Sequence, residues 1–78
     1  MKDNVELILL SKLINKKQEY YDYNEILLPS LFVTPVYKSI FMYIDKEYQI
    51  GNKFDMLKAA QEMKSIESID YHLGMCLD

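Results

Sequence analysis

The segment between Thr34 and Gly51 constrains the fold of this sequence most, because it carries the start, the stop and the apolar pattern of one helix. Thr34 is a typical start residue, since its hydroxyl can accept a hydrogen bond from a free backbone amide, and Pro35 sacrifices no hydrogen bond at the first helical position. Gly51 tolerates the left-handed conformation that ends many helices. The apolar residues between them recur at helical spacing: Val36, Ile40, Phe41, Ile44 and Tyr48. The pattern predicts a helix with one buried face.

Two more helices are predicted before this segment. In the first, the apolar residues at helical spacing are Val5, Leu9, Leu10, Leu13 and Ile14. Asp3 and Asn4 can cap its amino terminus, and lysines follow at its end, where cations suit the helix dipole. Residues 18–28 are ambiguous, because their tyrosines also suit a strand. Their three-to-four spacing favours a second helix that ends before Pro29.

Two shorter helices are predicted after it. Asp55 caps the fourth helix. Its expected inward residues are Met56, Leu57, Ala60 and Met63. The fifth helix begins at Ser68 or Asp70, and its apolar residues are Tyr71, Leu73 and Leu77. This last pattern stops at Asp78 before two full turns are complete, so we expect the chain to be a fragment of a longer protein.

The composition favours one helical domain. With 78 residues, 50% of them hydrophobic, the chain has room for a single core and gains stability from burial against a neighbour. Its 2 glycines and 2 prolines enforce few turns. We expect residues 1–78 to form one all-α domain, a small orthogonal bundle of about five helices.

The charge and hydropathy pattern argue against nucleic acid and membrane as direct partners. The net charge is −3, and the nine basic residues are all lysine, so the chain lacks the bidentate fork that arginine offers to phosphate. The longest run of aliphatic residues covers residues 7–10, far short of the roughly 20 residues that a membrane span needs. The amino terminus has no signal-peptide pattern. We expect a cytoplasmic protein.

No catalytic residue, metal site or cofactor site is predicted. A phosphate-binding loop needs several glycines with a lysine and a hydroxyl residue, and neither Gly51 nor Gly74 lies in such a motif. Cys76 is the only cysteine, which excludes an internal disulfide and a zinc site built on several thiolates. His72 shares a helical face with Cys76, yet we expect a half-exposed histidine and a small buried thiol.

The charged side chains of the later helices are expected to be solvated. Asp45, Glu47 and Glu62 have lysines nearby in the sequence and fall where exposed helix faces are predicted. Lys58 and Glu62 are four residues apart, a spacing that gives an ordinary side-chain pair on one helix. These carboxylates are therefore interpreted as surface charge and not as acid and base groups.

A surplus of apolar residues predicts a protein-binding surface. Seven of them do not fit the inward faces given above: Tyr20, Tyr21, Leu31, Tyr37, Met42, Tyr43 and Met75. Tyrosine and methionine are enriched at protein interfaces, although scattered apolar side chains are also ordinary on protein surfaces. The residues that we nominate for partner contacts are Tyr37, Met42, Tyr43 and Met75.

The order of these features resembles one known family. Residues 6–14 resemble an opening helix of the form E-x-x-V-L-G-x-x-L, and residues 31–41 a segment of the form F-x-x-P-x-H-x-x-I-F. Tyr48 follows, and then Gly51 and Asp55 in a G-x-x-x-D turn. The pattern resembles the N-terminal domain of DnaB-type replicative helicases. The departures are Ser11 for a glycine, Tyr37 for a histidine, and Ser68-Ile69 for a glycine pair.

The resemblance implies a role without chemistry of its own. In that family the domain is a collar on a hexameric ATP-driven DNA helicase and contacts primase. By resemblance, the partners here are other helicase subunits and a primase or helicase loader of the primosome. The helical hairpin through which the family dimerises would lie beyond Asp78. ATP and magnesium would be bound by the motor domain of the parent helicase, and this fragment would hold no cofactor.

Two other functions remain open on sequence grounds. The first is a DNA-binding module of the helix-turn-helix type, in which the fourth helix reads bases with support from Lys53, Lys58 and Lys64. The second is a free-standing replication accessory protein of a phage or plasmid, which differs only in ending at Asp78. An enzyme acting through His72 is the least favoured alternative.

Overall fold

Five α-helices and one short 3₁₀ helix form the part of the chain that the structure describes. The computed structural model describes residues 5–23, 25–27 and 29–77. Within them lie α1 (Val5–Asn15), α2 (Lys17–Tyr23), the 3₁₀ helix (Pro29–Leu31), α3 (Pro35–Gln49), α4 (Met56–Glu62) and α5 (Ile69–Cys76). These residues contain no strand, so the predicted all-α bundle of about five helices is confirmed. The caps expected at Asp3 and Asn4 lie outside the described residues.

Helix α3 is the central element of the bundle. It begins at Pro35 and ends before Gly51, whose φ of +87° is the predicted left-handed conformation. It packs against α1, α5 and the 3₁₀ helix. The predicted inward residues lie in the core or against it, and Tyr37, Tyr43 and Glu47 are buried as well. Neighbours on several sides therefore cover more of α3 than a single apolar face predicts.

The start of α3 is held by a carboxylate from another helix. Thr34 occupies the cap position in an extended conformation, but its side chain makes no capping hydrogen bond, so the role predicted for its hydroxyl is wrong. Glu6 of α1 instead accepts hydrogen bonds from the amides of Val33 and Thr34, at 3.1 and 3.2 Å. The opening glutamate of the sequence thus fixes α1 to the beginning of α3.

Helix α2 is shorter than predicted. It ends at Tyr23, and the amides of Ile26 and Leu27 both donate to the Tyr23 carbonyl, at 3.0 and 3.1 Å. This turn closes the helix before the proline is reached, so the prediction of a helix up to Pro29 is wrong in its second half. Leu27 is buried although it lies beyond the helix, as is Tyr20 within it, whereas Ile26 is exposed.

Helix α4 has the predicted start and most of the predicted inward face. Asp55 accepts hydrogen bonds from the amides of Leu57 and Lys58, at 3.0 and 3.3 Å, which confirms the predicted cap. Of the predicted inward residues, Met63 is buried, and Met56 and Ala60 are partly buried against the core. The prediction is wrong at Leu57, which is 76% exposed, and the fully buried Ala59 was not predicted.

Helix α5 begins at Ile69, between the two predicted starts. Ser68 is its cap residue, with a φ of +60° in the left-handed region. The residues that α5 buries are Ile69, Leu73 and Cys76, at spacings of four and three. Tyr71 is exposed, as is Leu77 just beyond the helix, so only Leu73 of the three predicted apolar residues lies in the core.

The core joins the first helix to the central one. Leu10 and Leu13 of α1 are buried, and the hydroxyl of Tyr48 on α3 donates to the Leu13 carbonyl at 2.8 Å. Phe32 stacks on Phe41 with 4.9 Å between ring centroids. Burial of each large apolar side chain contributes about 1.5–3 kcal/mol, so this contiguous cluster dominates the stability of the fold.

Candidate interaction surface

The four residues nominated for partner contacts are not gathered at one place. Tyr37 and Tyr43 are each only 6% exposed, because α3 is packed on several sides. The expectation that these two residues do not fit an inward face is therefore wrong. Met42 is 53% exposed, and Met75 is half-buried. Each methionine lines a different surface groove. Contact with a partner stays a prediction for all four residues, and only the methionines offer substantial surface for it.

The larger groove runs between α3 and the end of α4 and has a volume of about 580 Å³. We call it the α3–α4 groove and define it by six lining residues: Met42, Tyr43, Asp45, Lys46, Ile50 and Met63. Ile50, the residue that caps the carboxyl end of α3, is 68% exposed. The groove is therefore an open depression with apolar side chains at both ends of its α3 wall.

The α3 wall of this groove follows one helical stripe. Met42, Asp45, Lys46 and Gln49 lie at offsets of three, four and seven, and Ile50 follows directly. Residues three and four apart are neighbours on a helix surface. At a rise of 1.5 Å per residue the stripe from Met42 to Ile50 is about 12 Å long. It amounts to two turns of one helix face, on which Met42, Lys46, Gln49 and Ile50 are exposed and Asp45 is half-buried.

The rim of the α3–α4 groove is acidic. Lys46 forms an ion pair with Glu62 of α4, with 3.1 Å between the ammonium nitrogen and a carboxylate oxygen. Asp45 accepts hydrogen bonds from the Tyr20 hydroxyl and from Gln49, and it forms no ion pair within the described part of the chain. Two carboxylates thus face one ammonium group, which leaves a net negative charge beside the apolar residues.

Tyr43 also lines this groove. Its hydroxyl is buried and has no hydrogen-bond partner among residues 5–23, 25–27 and 29–77. Burial, followed by the nearby carboxylates of Glu47 and Glu62, raises the pKa of Tyr43 to about 12. The hydroxyl therefore keeps its proton at neutral pH. Its ring is fixed edge-on to Phe54, with 6.2 Å between centroids.

A second groove lies between α1 and α5. It has a volume of about 370 Å³, and we call it the α1–α5 groove after its lining residues: Leu7, Ile8, Ser11, Lys12 and Met75. Ile8 is exposed, and the charged group of this groove is the ammonium of Lys12. The two grooves therefore combine apolar surface with opposite charge.

One carboxylate predicted to be solvated is buried. Glu47 is 3% exposed and lies 3.0 Å from the ammonium of Lys58 and 3.0 Å from the amide nitrogen of Asn52. The hydrogen bond from Asn52 and then that from Lys58 hold the pKa of Glu47 below its ordinary value. Lys58 pairs across helices with Glu47, so the pair predicted with Glu62 on the same helix is wrong. Lys58 was one of three lysines that supported a DNA-reading helix.

The only histidine and the only cysteine do not form a catalytic pair. His72 is half-buried, with Tyr37 and Tyr71 edge-on to its ring at 5.9 and 5.5 Å. Cys76 is fully buried, as predicted, and burial raises the pKa of its thiol to about 11. A protonated, inaccessible thiol is a poor nucleophile. No group of three or more metal-ligating side chains is present in the part of the chain that the structure describes.

The helical order, the Glu6 contact and the Asp55 cap all agree with the family pattern seen in the sequence. The chain matches the DnaB-like helicase N terminal domain over residues 2–75. It belongs to that family. No significant match was found among curated proteins or among solved structures. The family assignment covers nearly the whole chain, and the N-terminal domain of DnaB-like helicases is non-catalytic.

Several residues that line the α3–α4 groove of this DnaB-like domain were not predicted from the sequence. Asp45, Ile50 and Met63 of the α3–α4 groove were not nominated from the sequence. The residues from Met42 to Ile50 that line the groove recur at helical spacing in the sequence. This stripe mixes apolar and charged residues, however, and so lacks a simple amphipathic signal.

None of the helices among the described residues has the length and apolar character needed to cross a bilayer.

Proposed function

We propose that this DnaB-like N-terminal domain is a docking module of a replicative helicase, which joins helicase subunits and offers a surface to primase or a helicase loader. The observation that carries the proposal is the pair of open, largely apolar grooves outside a core that is already well packed. Membership of the family supports it. ATP and magnesium would then be bound by a motor domain that follows elsewhere in the parent helicase.

The physical basis of docking would be burial of the exposed apolar side chains that line the grooves. Covering a large apolar side chain contributes about 1.5–3 kcal/mol, and a few such residues carry most of the binding energy in typical interfaces. Met42 and Met75 suit this role, because the flexible methionine side chain adapts to different partners. Each lies in a separate groove, so subunits and a second protein could be bound at the same time.

The proposal is tested by titrating the 78-residue chain with the primase and the helicase loader encoded in the same genome, and by measuring its self-association by sedimentation. We expect micromolar or tighter binding to at least one of these, weakened about tenfold or more by Met42→Glu or Met75→Glu. Leu57→Glu is the matched control, because Leu57 is exposed and lies outside both grooves. No association with any of the three would contradict the docking role.

A further inference from the structure

We propose that the α3–α4 groove binds one amphipathic helix of a partner protein, with apolar residues over Met42 and Ile50 and a lysine or arginine opposite Asp45. This inference rests on the docking role proposed above. It adds the location of the contact and the chemistry of the segment that makes it.

The shape of the groove fits a helix. One wall of the groove is two turns of the α3 surface, about 12 Å long, and the end of α4 forms another wall. A helix laid along such a depression packs its ridge of side chains into the groove between the existing helices. Addition of an extended strand needs an open sheet edge, and residues 5–23, 25–27 and 29–77 contain no strand to provide one.

The apolar residues are placed for anchor side chains of that helix. Met42 and Ile50 are eight residues apart on α3 and largely exposed, while Met63 is buried at the base of the groove. Partner residues seven or eight apart, about 10.5–12 Å along the helix axis, would reach the two exposed side chains. Because this surface is apolar at its ends and polar in the middle, the complementary helix has a polar position between its anchors.

The charge of the groove selects the polar residue. The ammonium of Lys46 is already paired with Glu62, whereas Asp45 has only neutral donors, Tyr20 and Gln49. A lysine or arginine on the incoming helix would complete an ion pair with Asp45, and an acidic residue there would be repelled. The same net negative charge disfavours a phosphate backbone.

The test is a selection from a phage-displayed library of helices of about 16 residues, roughly 24 Å long, against the immobilised 78-residue chain. All positions of one helix face are randomised. We expect enriched helices to carry two apolar residues seven or eight positions apart, with lysine or arginine three or four positions from each of them. Enrichment of acidic or uncharged helices, or of none, would overturn the inference.

Variants then locate the binding of an enriched peptide. Ile50→Glu is expected to weaken it about tenfold or more, since it places a charge where an apolar anchor sits. Asp45→Asn is expected to weaken it about threefold and to remove its preference for lysine over glutamine, because asparagine still accepts from Tyr20 but carries no charge. Leu57→Glu should change nothing. Near-ultraviolet circular dichroism of the tyrosines checks that each variant is folded.

The outcomes separate this inference from the proposed function. If primase, loader or subunit binding is detected but is unchanged by Ile50→Glu and Asp45→Asn, the docking role stands and the groove assignment is wrong. If Ile50→Glu abolishes self-association instead, the occupant is a second copy of the chain, which also overturns the inference. If none of the partners and no peptide binds, both proposals fail.

Discussion

Ser68 adopts a conformation that its side chain disfavours. Its φ of +60° lies in the left-handed region, which costs roughly 1–2 kcal/mol for a residue with a Cβ atom. The sequence has Ser68-Ile69 where the related pattern has two glycines. The structure shows why glycine suits this site, since the left-handed residue directly precedes α5. The departure from the family pattern therefore weakens the fold locally without changing its course.

Ser68→Gly is expected to stabilise the protein by about 0.5–1 kcal/mol, because relief of the disfavoured φ exceeds the added entropy of the unfolded chain. Urea denaturation monitored by far-ultraviolet circular dichroism measures the change. Ser65→Gly is the control, since the φ of Ser65 is not positive and glycine there gains nothing. A destabilised Ser68→Gly protein would show that the serine side chain makes a contribution that the backbone argument leaves out.

Glu6 holds two elements together through a single carboxylate. Its two oxygens accept from the amides of Val33 and Thr34 just before α3. Glu6→Ala is expected to lower the free energy of unfolding by about 1–2 kcal/mol, the usual cost of losing a helix cap. Glu6→Gln keeps one oxygen acceptor, so its free energy of unfolding should lie between those of the parent and Glu6→Ala. Both are measured by thermal and urea denaturation.

The matched control for Glu6 is Glu67→Ala, because Glu67 is exposed in the turn before α5. Its replacement should change stability by less than about 0.5 kcal/mol. Equal losses in Glu6→Ala and Glu67→Ala would mean that the loss reflects net charge and not the contact with the start of α3.

Helices with explicit end signals were predictable, and short helices without them were not. The bounds of α3 follow from Pro35 and Gly51, and the start of α4 from Asp55, because capping is decided by neighbouring residues. In contrast, α4 and α5 have seven and eight residues, so one misplaced apolar residue shifts the inferred buried face. Leu57 misled in α4 because hydrophobicity alone does not fix which side meets the core.

The candidate surface was predictable only in part, for the same reason. Met42 and Met75 were identified by residue type, and both line grooves. Tyr37 and Tyr43 were misassigned, because the sequence does not show that α3 is covered by three neighbours. The groove partners from other elements, such as Met63, depend on tertiary packing and carry no local signal.

The ion pair between the buried Glu47 and the exposed Lys58 connects α3 to α4, and we expect their contact to be sensitive to pH. The folded-state pKa of Glu47 lies below its ordinary value of 4.5, so its contribution is present above that value and is lost as pH falls through the lower pKa. We expect Glu47→Gln to be clearly less stable than the parent at neutral pH and close to it in strong acid. Urea denaturation across acidic pH measures the difference.

Glu62→Gln provides the comparison for this pH dependence. Glu62 pairs with Lys46 in a solvent-exposed ion pair, which contributes little in water. Its stability difference from the parent should be small and nearly independent of pH. A pH dependence in Glu62→Gln as large as that in Glu47→Gln would show that overall charge, and not the buried carboxylate of Glu47, controls acid stability.

The whole chain is compact and carries a net negative charge. Its radius of gyration of 11.6 Å agrees with the value of about 11.5 Å expected for a compact chain of this length. The net charge is −3, and two lysines are engaged in ion pairs with glutamates. A net negative charge predicts little release of counterions from a phosphate backbone.

We therefore expect no binding of the isolated chain to duplex or single-stranded DNA at low salt, as measured by fluorescence anisotropy. A basic helix-turn-helix protein serves as the positive control. Binding that weakens steeply as salt rises would contradict this expectation and favour the DNA-reading alternative. Replacement of Lys53 and Lys64 by alanine would then show whether α4 and the following turn carry it.

Because Cys76 is fully buried, chemical labelling of its thiol measures local unfolding of the chain. A sulfhydryl reagent reaches the sulfur only in molecules whose last helix has swung away, so the rate of label uptake counts those excursions directly. A partner protein that binds α5 would slow labelling, and one that binds elsewhere would leave the labelling rate unchanged. The labelling rate of this single thiol therefore distinguishes a partner bound at α5 from one bound at another surface.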